Sequence, residues 1–221
     1  MDTSELVEKT VEFVKQKMQG ESSGHDWWHV YRVWQTAKRI IATEPEADRL
    51  IVELAALLHD IEDWKFAGSE AGPQAARKWL EQCQVESHIA DRVEAIIRGE
   101  ISLQGEELKK VKASLEYKIV HDADNLDAIG AIGIARAFAT GTKFNEVFYD
   151  PDIPAPHPKS IEEYVATRGQ AGRTVINHFY EKLLTIKDLI ETKEGKIIAK
   201  HRHDYMQTYL EEFYREWGGE I

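Results

Sequence analysis

Leu50-Ile51-Val52-Glu53-Leu54-Ala55-Ala56-Leu57-Leu58-His59-Asp60 is the stretch that decides the fold. Ile51, Leu54, Ala55 and Leu58 form one apolar stripe at helical spacing, and Val52 and Ala56 cover another side. The run therefore reads as a buried helix. Pro45 suits its first turn, where an amide hydrogen has no internal partner. The apolar run then stops at a metal-ligating type of side chain beside a carboxylate. Burying either group alone is costly, and a cation is one way to offset that cost. Neighbouring side chains on a helix diverge by about 100°, so joint ligation by this pair is easiest where the helix ends. A histidine and an aspartate that merely cap the terminus are the plain alternative.

The flanks also read as helices. Val7, Val11, Val14 and Met18 give an amphipathic helix over 4–18, broken by Gly20-Glu21-Ser22-Ser23-Gly24. Asp26 is a candidate N-cap for a helix to about Thr43, with Val30, Val33, Trp34, Ala37 and Ile41 inward and His29 in the first turns. Helices follow near 73–83 and 87–98. From Gly99 to about Ala113 two glycines and several charges point to a surface loop, with at most a short helix at its end. Leu115, Ile119 and Val120 resume the pattern and lead into His121-Asp122-Ala123-Asp124-Asn125-Leu126-Asp127. Ala128-Ile129-Gly130-Ala131-Ile132-Gly133-Ile134-Ala135 comes next, and its small residues allow another helix to approach closely. Residues 150–158 hold four of the six prolines and read as an extended loop, and Ser160 with Glu163 as a capping box. Val175, Phe179, Leu183, Ile186 and Ile190 define a long helix. Ile198, Tyr205, Tyr209, Phe213 and Trp217 define a last one, which packs on the chain's own core or, alternatively, on a second subunit of a homodimer. The expected fold is all-α, as a single domain over 1–221, with a core at about 20–140 and a C-terminal helical part at about 159–218.

The 221 residues suffice for a substantial core. A net charge of −11 disfavours a broad grip on nucleic-acid polymers, while leaving room for a local cationic pocket for a small anion. The single cysteine, Cys83, excludes an internal disulfide and fits a reducing compartment. No signal peptide and no bilayer-spanning apolar run is evident, so the expected location is the cytoplasm, without a membrane partner.

His29, His59, Asp60 and Asp124 lie at helix ends or on interior faces, so a helical bundle can bring all four to one point. Two imidazoles and two carboxylates leave room for water on one divalent cation. That mixed set suits manganese, magnesium, nickel, cobalt or iron, and tolerates zinc. Glu62 and Asp63 follow the pair closely enough to orient or deprotonate a water. His25, Arg32, Lys65 and Arg136 are candidate contacts for a small anion. Asp127, one turn after Asp124, reads as a residue that orients a ligand or an arginine. Trp27, Trp28, Trp34 and Trp64 cluster near the site in sequence; one can stack on a planar ligand, and most read as core.

The ordered pattern His29 … His59-Asp60 … Asp124 resembles that of the HD-domain metal-dependent phosphohydrolases. The blocks from Gly24 to Val33, from Leu57 to Ile61 and from Asp122 to Arg136, with Asn177-His178-Phe179-Tyr180-Glu181-Lys182-Leu183, are most similar to a bacterial branch, the YpgQ-like HD proteins. The likeness covers most of the chain. It implies an HD-domain bundle of roughly nine to eleven helices around one metal site. It also implies hydrolysis of a (deoxy)nucleoside triphosphate to monophosphate and pyrophosphate, with His25, Arg32, Lys65 and Arg136 as candidate phosphate contacts. Asp63 matches the catalytic acid of related HD nucleotidases and is preferred to Glu62. Two-metal HD enzymes add histidines beside the motif; here Ile61 follows Asp60, so one metal is expected, with His121 the spare ligand. The alternatives are a 5′-nucleotidase and a non-catalytic metal-containing nucleotide sensor. His201-Arg202-His203-Asp204 imitates the motif but lies in a charged helical stretch, and is expected at the surface.

Overall fold

The computed structural model describes residues 2–19, 26–62, 68–101, 103–154 and 173–220. Ten α-helices and one 3-10 helix lie among them, with a single isolated bridge between Val147 and Thr174 in place of any sheet. The chain divides into two compact units.

The first unit comprises residues 1–124 with 191–195. It holds α1 (Thr3–Lys17), α2 (Trp27–Ile41), α3 (Arg49–Leu58), α4 (Ala71–Gln82), α5 (Ser87–Ile101), α6 (Gly105–Lys112) and most of α7 (Leu115–Asp127). Helix α3 is its hub, packed against α1, α2 and α5. Every residue from Ile51 to Leu58 is buried, and each of the large aliphatic side chains among them stabilises the unit by about 1.5–3 kcal/mol. Glu53 is the exception in character. Its buried carboxylate accepts from Trp34 Nε1 at 2.8 Å and Arg49 Nε at 2.7 Å.

Three expectations need correction here. Pro45 lies in the preceding turn; α3 starts at Arg49 because the Asp48 carboxylate caps the amides of Leu50 and Ile51. The stretch from Gly99 is mostly helical: α5 runs on to Ile101, and α6 occupies Gly105–Lys112. Gly99 is a close-approach residue instead of a break, since a Cβ there would meet Tyr117 Cε2 at 2.8 Å.

The second unit, residues 125–190 with 196–221, holds α8 (Gly130–Lys143), α9 (Val175–Glu181), the 3-10 helix (Leu183–Asp188) and most of α10 (Lys193–Trp217). Close approach is again the work of glycine. A Cβ on Gly141 would stand 2.3 Å from Val175 Cγ2, and Gly130, at φ +80°, lies under the Arg202 side chain. The single long helix expected from Val175 to Ile190 is interrupted at Lys182, whose φ of −136° is not helical. Leu183 and Ile186, three apart, share the buried face of a three-residue turn. The face of α10 is also rotated from the expected one. Ile198, Ala199, His203, Met206 and Leu210 are buried, whereas Tyr205 and Trp217 are more than half exposed. His203 is thus not a surface residue. The expected capping box at Ser160 and Glu163 lies outside the described residues.

Candidate metal centre

Each residue of the centre is delivered by an identifiable local feature. Asp26 caps α2 by accepting from the His29 amide at 3.0 Å, which starts the helix so that its third residue is the histidine. His59 is the C-cap of α3, and Asp60 follows in the turn, the helix-end arrangement that lets adjacent side chains serve one point. Asp124 comes from the last turn of α7.

His59 Nδ1 is 2.9 Å from the carbonyl of Ala56. A carbonyl only accepts, so Nδ1 carries the hydrogen and a neutral ring turns its Nε2 lone pair to the centre. There it lies 3.3 Å from His29 Nε2 and 3.8 Å from Asp124 Oδ1. His29 Nε2 is 3.3 Å from Asp124 Oδ1 and 3.6 Å from Asp60 Oδ2. Two of these separations, both 3.3 Å, match those of donors around one cation, and the other two, 3.6 and 3.8 Å, are somewhat longer. Ligand bonds near 2.1 Å place neighbouring donors about 3.0–3.4 Å apart in octahedral or tetrahedral geometry. His29, His59 and Asp124 form a cluster whose ligand atoms all lie within 4.8 Å of one another, consistent with a single divalent metal site. The histidines are buried, while the Asp124 side chain is 39% exposed, which gives the centre one wet side. Donors of this kind fit the expected cation without choosing among the metals.

The other expected residues are spread unevenly. Glu62 is half-buried, and its carboxylate is held by Lys17 Nζ at 2.7 Å. Asp63, His25 and Lys65 lie outside the described residues. Arg32 is half-buried on α2, one turn after His29. In the second unit, Asp127 is buried and accepts from Arg136 Nη1 at 2.6 Å. Among the tryptophans, Trp28 is 59% exposed and Trp27 and Trp34 are half-buried, so these three are not the core residues expected.

Sequence reasoning missed two groups beside the centre. Asp122 is fully buried and accepts from the amides of Glu191 and Thr192 and from the Thr192 hydroxyl, at 2.7–3.1 Å. It thereby ties α7 to the residues that start α10, two positions before Asp124. Glu100 accepts from His121 Nδ1 at 2.9 and 3.1 Å, and the His121 ring stacks on Tyr117. Burial pulls the His121 imidazolium down, but the Glu100 hydrogen bond and the charges of Glu100, Asp122 and Asp124 outweigh it and raise its pKa. Acidic residues flanking a ligand were the available signal for Asp122; Glu100 was hidden by the misread glycine.

Comparison with known proteins converges on the same region. The HD domain model matches residues 27–129, which contain all four candidate ligands. YpgQ of Bacillus subtilis is 34% identical over 215 residues, 94% of this chain and 91% of its own. The crystal structure of an HD-superfamily hydrolase from Bacillus thuringiensis is similar over 98% of this chain and 99% of its own, at 39% identity and a TM-score of 0.76. That of B. subtilis YpgQ in complex with ADP has a TM-score of 0.73 at 29% identity, over 98% and 97% of the two chains. With this ancestry and a buried His/His/Asp cluster in the expected place, the chain belongs to the HD-domain phosphohydrolase superfamily and is a metal-dependent hydrolase of that family.

Proposed function

We propose that this protein hydrolyses (deoxy)nucleoside triphosphates to monophosphate and pyrophosphate, with one divalent cation, manganese, magnesium, nickel, cobalt or iron, held by His29, His59, Asp60 and Asp124. The observation that carries the reading is the convergence of His29 and His59 Nε2 with the Asp124 carboxylate at 3.3–3.8 Å. The nucleotide is suggested by the relative that was crystallised with ADP. A cation in this cradle lowers the pKa of water and offsets charge gathering on phosphoryl oxygens.

The chain's own groups do the rest. Asp63 orients the attacking water and takes its proton; Glu62 is the second candidate, disfavoured by its ion pair with Lys17. Water adds to the α-phosphorus, the bond from that phosphorus to the α,β-bridging oxygen breaks, and pyrophosphate leaves with the bond's electron pair. His25, Arg32, Lys65 and Arg136 meet the phosphates, with Asp127 bracing Arg136. The reading places the enzyme in the cytoplasm as a single domain, alone or as a homodimer. Among the described residues no helix is long and apolar enough to cross a membrane.

Chromatographic product analysis tests the reaction. The metal-stripped protein, resupplied with manganese or magnesium, is incubated with nucleoside tri- and monophosphates. Monophosphate plus pyrophosphate, absent from His59→Ala and Asp60→Ala, is the expected result. Nucleoside plus free phosphate would replace the reaction by a 5′-nucleotidase, and bound metal without turnover would leave a sensing module.

A further inference from the structure

The second unit holds a cavity of about 360 Å³, lined by Lys187 and Asp188 of the 3-10 helix, Ile190 just after it, and Lys196 and Lys200 of α10. That volume falls in the range of about 300–1,000 Å³ typical of small-molecule sites. Lys196, Lys200 and His203 follow one another at spacings of four and three, so they share a face of α10. Lys187 reaches that face from the 3-10 helix, with Nζ 3.2 Å from His203 Nε2. An ammonium has no lone pair, so it donates, Nε2 accepts, and the imidazole is neutral with its hydrogen on Nδ1. Burial, and then the charge of Lys187, also hold the pKa of that ring below its ordinary 6.5. His203 is only 5% exposed, so it anchors Lys187 firmly without cancelling its charge. Elsewhere on the chain Lys17, Arg39 and Arg98 are answered by carboxylates. Among the described residues, none lies within ion-pair distance of Lys187 or Lys196. Lys200 is paired with Asp204, and Asp188 stands at the same cavity. Three ammonium groups against two carboxylates leave a net positive site on a chain of charge −11. Lysine is a point charge with no preferred plane, which suits phosphoryl oxygens, and three of them match an anion with more than one charged centre. No aromatic ring lines the cavity, so nothing there stacks on a base.

We propose that this cavity is a second anion site, sharing no residue with the metal centre, that binds a phosphoanhydride chain through Lys187, Lys196 and Lys200, with neutral His203 holding Lys187 in place. The site goes beyond the proposed hydrolysis and does not depend on it. Inorganic pyrophosphate is titrated into the full chain, freed of unbound metal, while NMR follows the lysine Cε resonances, assigned through Lys187→Gln, Lys196→Gln and Lys200→Gln. Those of Lys187, Lys196 and Lys200 should move together and saturably, and half-saturation should rise with salt. Lys187→Gln and Lys196→Gln should each weaken pyrophosphate about tenfold, the scale of one charge-assisted hydrogen bond. Asp204→Asn releases Lys200 and should tighten binding about threefold, a gain that misfolding cannot mimic. A nucleoside diphosphate should bind no tighter than pyrophosphate, because the base finds no ring. Pyrophosphate held at the metal centre alone would leave the three resonances unmoved and overturn the proposal. Wild-type affinity in either of the variants Lys187→Gln and Lys196→Gln, or in Asp204→Asn, would overturn it as well. Tighter binding of the nucleoside diphosphate, or saturation by an unstructured oligonucleotide but not by pyrophosphate, would overturn the class of ligand.

Discussion

The chain contains the dipeptide His-Asp four times, and the two copies at 59–60 and at 203–204 have opposite fates. The first sits at the end of a helix buried from Ile51 to Leu58, so its side chains meet those of His29 and Asp124. The second lies within the 25-residue α10. There the backbone turns the neighbours apart by about 100°. Asp204 is exposed and pairs with Lys200, while His203 is buried and takes a contact from Lys187 Nζ at 3.2 Å. A lysine beside the ring excludes a shared cation as firmly as a carboxylate invites one. The same two residue types thus make a metal centre or an ordinary helix segment, depending on where the helix stops and which charges face them.

The largest effect should separate the two copies directly. His59→Ala should lower turnover by more than about 100-fold, the scale at which even the outer partners of a ligand act. His203→Ala and Asp204→Ala should stay within about threefold, measured as kcat/KM on the same nucleoside triphosphate. Next comes the helix leading into each copy. Leu57→Ala should cost about 2–5 kcal/mol in urea unfolding because α3 is enclosed. Ile197→Ala, at a position 62% exposed, should stay within about 0.5 kcal/mol.

A smaller loss, about 1–3 kcal/mol, is expected for Asp122→Ala, which leaves the amides of Glu191 and Thr192 without their acceptor. The smallest effects are those of pH. Burial first, and then the charge of Lys187, lower the pKa of His203 below its ordinary 6.5. Its contribution to stability is therefore present above pH 6.5 and lost as pH falls through its folded value. The pKa of His121 is raised, so its contribution is complete below pH 6.5 and lost as pH rises through the folded value. Urea midpoints against pH should lose part of the acid limb in His203→Gln and part of the alkaline limb in His121→Gln.

The metal centre was more legible in the sequence than much of the scaffold. Helix α3 announced itself because its apolar residues from Ile51 to Leu58 cover nearly every side of the helix, and Asp26 announced α2 because a cap is a local interaction. Periodicity failed where long-range packing decided. Gly99 looked like a break, yet it serves Tyr117 across 18 positions of sequence. The apolar spacing from Val175 to Ile190 suited one helix, but the backbone departs at Lys182 and a 3-10 turn buries Leu183 and Ile186 equally well. On α10 the large aromatics suggested the inner face, whereas smaller residues and His203 occupy it. Glu100 could not be linked to His121 before the end of α5 was known.

Metal stoichiometry of the purified chain tests the central claim most directly. After stripping and reloading with manganese, mass spectrometry of the native protein should find one ion per chain in the wild type and in His203→Ala, and none in His59→Ala or Asp60→Ala. An ion retained after loss of His59, or lost with His203, would contradict the assignment of the centre.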